Sequence, residues 1–272
     1  PSVIDLGCGL GADASALQNA GVGVQAVERD PVTAVLAQAN LGVEVCVGDA
    51  QEAWPRLAAE HPEAGVFVDP ARRTGAGRTW RIEDLSPPWE FAVAVLTCGR
   101  PAALKLGPGV PRRVIPRDVE AAWVSDARTV VECSLFAGPT AVPGRRTAIV
   151  DGVPLHGDGA VAADVGPIGA YLYEPDGAVV RAGLVDDLAA RIGARRLDPQ
   201  AAYLTAEACV PTPFADLFAV TEVLPFDERV LRGWVREHRI GILEIKKRGL
   251  EVDPAEGAAL EFAETDEGDG QG

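Results

Sequence analysis

Asp5-Leu6-Gly7-Cys8-Gly9-Leu10-Gly11 is the stretch that decides the fold of this chain. The residues that lead into it, Ser2-Val3-Ile4-Asp5-Leu6, form a short apolar run, as expected of a buried parallel strand. Alternating glycines directly after such a strand let the backbone turn sharply into a helix and let a ligand approach the main chain closely.

Outward from this loop, strands and helices alternate at the pitch of βαβ units. Residues 12–19 read as a helix, 21–27 as a second strand, 31–40 as a helix with Pro31 in its first turn, and 43–47 as a third strand. A helix over 52–59, a strand over 64–68, a helix over 89–97 and a strand over 102–106 continue the pattern. A short helix is expected over Val119–Val124. Two neighbouring strands, 129–136 and 147–150, are expected to form an antiparallel hairpin through the polar turn 138–146. The fold class is therefore α/β with a mostly parallel sheet.

Composition sets the outer bounds. The 272 residues are 47% hydrophobic and 24% charged, enough apolar material for a substantial core. No apolar run approaches the ~20 residues of a membrane span, so no membrane partner is expected. Five scattered cysteines without a CxxC pair read as reduced thiols, pointing to a cytoplasmic location. Three unpaired histidines make a metal site unexpected. There is no methionine, and Pro1 stands directly against a strand, so the chain is expected to be a piece of a longer protein. The net charge is −15, but residues 251–272 hold eight acids and no base, leaving 32 acids against 25 bases before them. Residues 254–272 are expected to be an acidic disordered tail.

Three carboxylates mark the ligand edge of the sheet. Glu28 ends the second strand, where a carboxylate can accept hydrogen bonds from both ribose hydroxyls. Asp49 follows the third strand and Gly48, where it can take an adenine amino group. Gly7, Gly9 and Ala12 also satisfy G-x-G-x-x-G/A, so an NAD(P)-dependent oxidoreductase is a rival. Asp5 weighs against it. A dinucleotide fold wants an apolar residue inside that strand, whereas a carboxylate there can hold the cationic amino-acid end of S-adenosylmethionine.

On Asp5, Gly7, Gly9, Gly11, Glu28, Asp49 and the Asp69-Pro70 turn, residues 1–150 resemble the class I S-adenosylmethionine-dependent methyltransferases. The resemblance implies a Rossmann-like seven-stranded sheet whose last hairpin is antiparallel, with S-adenosyl-L-methionine as cofactor. Phe67-Val68-Asp69-Pro70-Ala71-Arg72-Arg73 occupies the place where amine-directed members carry an Asp/Asn-Pro-Pro-aromatic motif. Asp69 and Pro70 are the catalytic candidates: a carboxylate there can accept the target N–H and orient the nitrogen lone pair. The second proline and the aromatic residue are absent, which leaves the nature of the target atom open. Arg72 and Arg73 are candidate phosphate contacts, and Trp89 is expected as half-buried packing.

Residues 151–166, rich in Gly, Asp and Ala, read as a linker to a separate α+β module over 167–253. Its expected elements are a strand over 170–173, a helix over 185–192, a strand near 218–223, a helix over 227–238 and a strand over 240–246. Val210-Pro211-Thr212-Pro213-Phe214, Val223-Leu224-Pro225-Phe226 and Ile245-Lys246-Lys247-Arg248-Gly249 resemble the THUMP-like domain behind the methyltransferase domain of a bacterial family. That resemblance implies action on RNA, tRNA or rRNA. Lys246, Lys247 and Arg248, with Arg232, Arg236 and Arg239 on the preceding helix, are the candidate RNA contacts. An RNA-binding protein with an inactive methyltransferase domain is the alternative.

Overall fold

The computed structural model of the chain describes residues 1–72, 82–225 and 227–240, without the side chains of Arg72 and Glu228. The expected acidic tail, all but the first residue of the strand over 240–246, and the candidates Arg73, Lys246, Lys247 and Arg248 lie outside the described residues.

The first half is built as the periodicity predicts. It runs β1 (Ser2–Leu6), α1 (Ala12–Asn19), β2 (Gly23–Glu28), α2 (Pro31–Leu41), β3 (Val45–Val47), α3 (Ala50–Glu60) and β4 (Gly65–Val68). Ile4, Leu6, Val27, Val66 and Val68 are almost inaccessible, as central parallel strands covered on both faces require. The limits of α2 follow from local chemistry. The Asp30 carboxylate accepts the Thr33 N–H at 2.8 Å, Pro31 sits in the first turn, and Gly42 ends the helix at φ 66°. A small ladder of β5 (Ala71–Arg72) and β6 (Leu85–Ser86) leads to α4 (Trp89–Leu96) and β7 (Ala102–Leu106).

Four strands complete this sheet: β8 (Glu120–Asp126), β9 (Thr129–Ala137), β10 (Arg146–Val150) and β11 (Val153–Gly157). The nine strands are ordered β3-β2-β1-β4-β7-β9-β8-β10-β11. β9 lies antiparallel between β7 and β8, so the antiparallel hairpin of the seven-stranded core is β8–β9. β10 then pairs parallel to β8, and β11 antiparallel to β10.

Three expectations give way here. Residues 119–124 are not a helix, and strands 129–136 and 147–150 are not neighbours. Ala121 and Ala122 within that stretch belong instead to a buried strand on which a later helix packs closely. The hairpin turn was hidden because Ala127 and Arg128 occupy it, at φ 44° and 65°. A two-residue turn with both φ values positive is ordinarily signalled by Asn-Gly or Asp-Gly. The stretch read as a linker contributes β11 to the sheet, in register from Val150↔Val153 to Arg146↔Gly157.

Beyond residue 166 come β12 (Tyr171–Pro175), α5 (Gly177–Ala182), α6 (Val185–Ile192), β13 (Arg195–Arg196), β14 (Leu204–Ala206), β15 (Ala215–Ala219) and α7 (Glu228–Glu237). Their strands form a second sheet ordered β13-β14-β12-β15. α5 packs on β8 and β10, and one apolar cluster runs without interruption from Ile4 to Ala215. The two regions therefore share a core. Arg128 ties them further, reaching Asp176 at 3.2 Å and Asp216 at 2.9 Å. Asp176 is fully buried and also caps α5 by accepting the Ala178 N–H at 2.7 Å.

Candidate functional site

A cleft of about 460 Å³ opens where β1, β2, β3, β4 and β7 end, the place where open α/β sheets bind ligands. Its floor is the glycine loop. Gly7 and Cys8 both donate their N–H groups to the Val27 carbonyl at 2.9 Å, pinning the loop to the end of β2. Gly7 and Gly11 adopt φ 100° and 86°, which a side chain would oppose. At Gly11 a Cβ would also press on Leu41 of α2.

Glu28 locks the loop from the other side. One carboxylate oxygen accepts the Gly9 N–H at 3.0 Å and the other the Asp30 N–H at 2.8 Å. Asp49 caps α3, accepting the Gln51 N–H at 2.8 Å, and borders the same cleft. Asp5 is 1% exposed, and neither of its oxygens has a hydrogen-bond partner. Burial, then the charges of Asp13, Asp69 and Glu28, raise its pKa to about 7 against the pull of Lys105. Such a carboxylate is strongly favourable ground for a cation.

Asp69 follows β4 at the mouth of the cleft, 3.3 Å from the ammonium of Lys105 on β7. Lys105 also donates to both oxygens of Asp13, at 2.9 and 3.1 Å. Burial raises the pKa of Asp69, and Lys105 only partly opposes it. Burial also disfavours the Lys105 charge, but Asp13 and Asp69 outweigh it and hold the ammonium above its ordinary range. Burial, aided by Asp5 and Glu28, pushes the Cys8 thiol up to about 12, so no thiolate nucleophile is available there.

The structure thus brings Asp5, Gly7, Gly9, Glu28, Asp49 and Asp69 to one cleft, with Gly11 behind the loop as the cap of α1. Pro70 turns the chain from β4 into β5, and the Arg72 backbone pairs with Leu85. Trp89 is half-buried against the core. Asp13 and Lys105 join the site although sequence reasoning did not assign them. Lys105 interrupts the apolar run Ala102-Ala103-Leu104-Lys105-Leu106, a charge in a buried strand that was the available clue. Among the described residues no group of three His, Cys, Asp or Glu could hold a metal ion, and no helix is long and apolar enough to cross a membrane.

Two curated relatives, from two strains of Mycobacterium tuberculosis, are each named an uncharacterized S-adenosylmethionine-dependent methyltransferase. Each is 33% identical over 263 residues, spanning 93% of this chain and 71% of the relative. The chain belongs to this S-adenosylmethionine-dependent methyltransferase family. A crystal structure from Porphyromonas gingivalis assigned as a methyltransferase superposes with a TM-score of 0.73 at 25% identity, covering 94% of this chain and 69% of that one. Residues 215–256 match the THUMP domain-like family. Membership decides between the two cofactors weighed from the glycine loop: this methyltransferase uses S-adenosylmethionine, and the dinucleotide alternative falls away.

Proposed function

We propose that this cytoplasmic methyltransferase acts on RNA, on a base of tRNA or rRNA, with its cofactor held by Asp5, the glycine loop, Glu28 and Asp49. The orphaned carboxylate of Asp5 is the observation that carries the cofactor placement: a buried anion beside a glycine cradle suits a ligand with a cationic end. S-adenosylmethionine supplies, when bound, a methyl group on a positively charged sulfur.

The protein's own part is positioning and proton handling. Glu28 presents its carboxylate at the end of β2, fixed by the Gly9 and Asp30 amides, so its orientation toward ribose hydroxyls is set in advance. Asp69, steadied by Lys105, accepts the N–H of the target nitrogen and aims its lone pair into the cleft. Its raised pKa makes it a better base for the proton that nitrogen sheds. Lys105 keeps Asp13 and Asp69 from repelling each other beside Asp5.

Two features support RNA as the substrate. The THUMP domain-like match covers β15 and α7. On α7, Arg229, Arg232 and Arg236 line one shallow recess together with Asp227. The test is transfer of labelled methyl groups from S-adenosylmethionine to an unmodified transcript pool of tRNA and rRNA. Incorporation that Asp69→Ala abolishes, with S-adenosylhomocysteine binding retained, supports the assignment. No transfer to either RNA, with the cofactor bound, would remove RNA as the substrate.

A further inference from the structure

A second cleft, of about 530 Å³, lies away from the cofactor and is lined by five arginines: Arg112, Arg113, Arg117, Arg145 and Arg146. The sheet register places it. Glu120 at the start of β8 pairs with Phe136, while Phe136 pairs with Ala103 near the start of β7. Arg146 at the start of β10 pairs with Ala121. The arginines therefore gather at the edge where β7, β8 and β10 begin, and the cofactor cleft lies where β7 ends. A five-residue strand separates those edges by roughly 17 Å.

Of the five arginines there, the protein pairs only Arg145 with a carboxylate among the described residues. Arg145 pairs with Glu120 at 2.6 Å, and the second Glu120 oxygen accepts the Val142 N–H at 2.9 Å, so Glu120 is fully engaged. Among the described residues, no carboxylate stands within ion-pair distance of Arg112, Arg113, Arg117 or Arg146; burial raises the pKa of the nearby Asp187, and Arg146 only partly opposes it. No Asp lines the cleft.

Arg112 and Arg146 also converge. The Arg112 guanidinium occupies the space that a Cβ on Gly183 would enter, at the C-terminal end of α5, and the Arg146 guanidinium closes in beside it. Burial and then Arg146 lower the pKa of Arg112. On the floor, Trp123 is 1% exposed and its indole N–H has no acceptor. Among the residues that line this cleft, the unpaired charged groups are all guanidinium donors, in a chain whose net charge is −15.

We propose that this arginine cleft binds phosphate groups of the RNA backbone, anchoring the substrate on the sheet edge opposite the methyl-transfer site. Guanidinium forks match phosphate oxygens, and contacts to phosphate position a nucleic acid without reading its sequence. The separation from the cofactor cleft spans about five phosphates at 3.4 Å each along a strand. The cleft borders α5, at the start of the region that leads to the THUMP-like residues. This inference rests on RNA being the substrate, and the test separates the two.

Arg113 and Arg117 are exposed, so the pair Arg113→Glu and Arg117→Glu leaves the core untouched. Tripolyphosphate should raise the melting temperature of the full chain and leave that of the variant unchanged. Binding to a deproteinised tRNA pool should weaken about tenfold or more, with the salt slope falling by about 2. S-adenosylhomocysteine binding should not change. If charge reversal disturbs that control, the milder Arg113→Gln and Arg117→Gln pair reads the same slope. Equal RNA affinity and slope in variant and parent would overturn the cleft and leave RNA as the substrate. Tripolyphosphate binding without RNA binding by the parent chain would overturn both the RNA anchor and the RNA substrate. Absence of tripolyphosphate binding to the parent chain would remove the anion site itself.

Discussion

Lys105 on β7 bonds Asp13 at the start of α1 at 2.9 Å, across 92 positions of sequence. The contact joins the strand that carries the lysine to the helix that the glycine loop launches, and Asp69 completes it at 3.3 Å. Lys105→Met leaves Asp13 and Asp69 facing Asp5 without their shared cation. Turnover should fall about tenfold or more, and the acidic limb of the pH–rate profile should move upward as both carboxyls hold their protons more tightly. An unchanged profile would deny Lys105 that positioning role.

With Asp5 in the proposed cofactor site, cofactor binding should depend on pH. With its carboxyl at about 7 in the folded chain, it is mostly protonated at pH 6 and mostly ionised at pH 8. A cationic ligand end prefers the ionised form, so affinity for S-adenosylmethionine should rise about tenfold over that range, and Asp5→Asn should flatten the dependence. Calorimetric titration at several pH values reads both.

Stability should move in the opposite sense at the same residue. The folded chain binds the Asp5 proton more tightly than the unfolded chain, with about 7 against 3.8, so the contribution is complete below pH 3.8 and is lost as pH rises through 7. Asp5→Asn should therefore melt higher than the parent at pH 8 and match it near pH 4. The difference is bounded by about 4 kcal/mol, at 1.36 kcal/mol per unit. Thermal denaturation of the ligand-free chain at the two pH values checks the sign.

Glu28→Ala removes the proposed ribose acceptor and also the brace of the Gly9 and Asp30 amides. S-adenosylhomocysteine affinity should drop by tenfold or more in titration, and Glu28→Gln should retain part of it through its remaining amide oxygen. Equal affinity in all three chains would take Glu28 out of the cofactor site.

Arg128→Ala strips the buried Asp176 of its counter-charge. Because Arg128 is itself 37% exposed, the loss is set at about 2 kcal/mol rather than the full value for a buried pair. A melting temperature lower by about 4–8 °C is expected for a chain of this size. Ala127→Asn, which relaxes the positive φ of the same turn, should raise stability by about 0.5–1 kcal/mol.

The first 106 residues were legible because their βαβ units are local: β1, α1 and β7 fall on the residues expected from periodicity and punctuation. Legibility stopped where tertiary contacts replaced local signals. Ala121 and Ala122 are small because α5 approaches β8, not because they favour a helix. Ala127-Arg128 holds its turn through Asp176 and Asp216, and the Asp151 carboxylate accepts the Ala127 N–H at 2.9 Å, so none of the usual turn residues is present. In the site, Asp5, Glu28 and Asp69 stood at strand ends and could be picked out. Asp13 and Lys105 gained meaning only once the fold set them side by side.

The continuous core from Ile4 to Ala215 has a consequence for how this enzyme can be handled and how it can change. A cut after Val150 would strip β10 of its edge partner and lay bare the faces of β8 and β10 that α5 covers. The catalytic sheet and the region behind it are thus not interchangeable cassettes. Grafting the rear portion onto another sheet, or expressing the front portion alone, would produce a sticky half-molecule with part of its shared core laid bare.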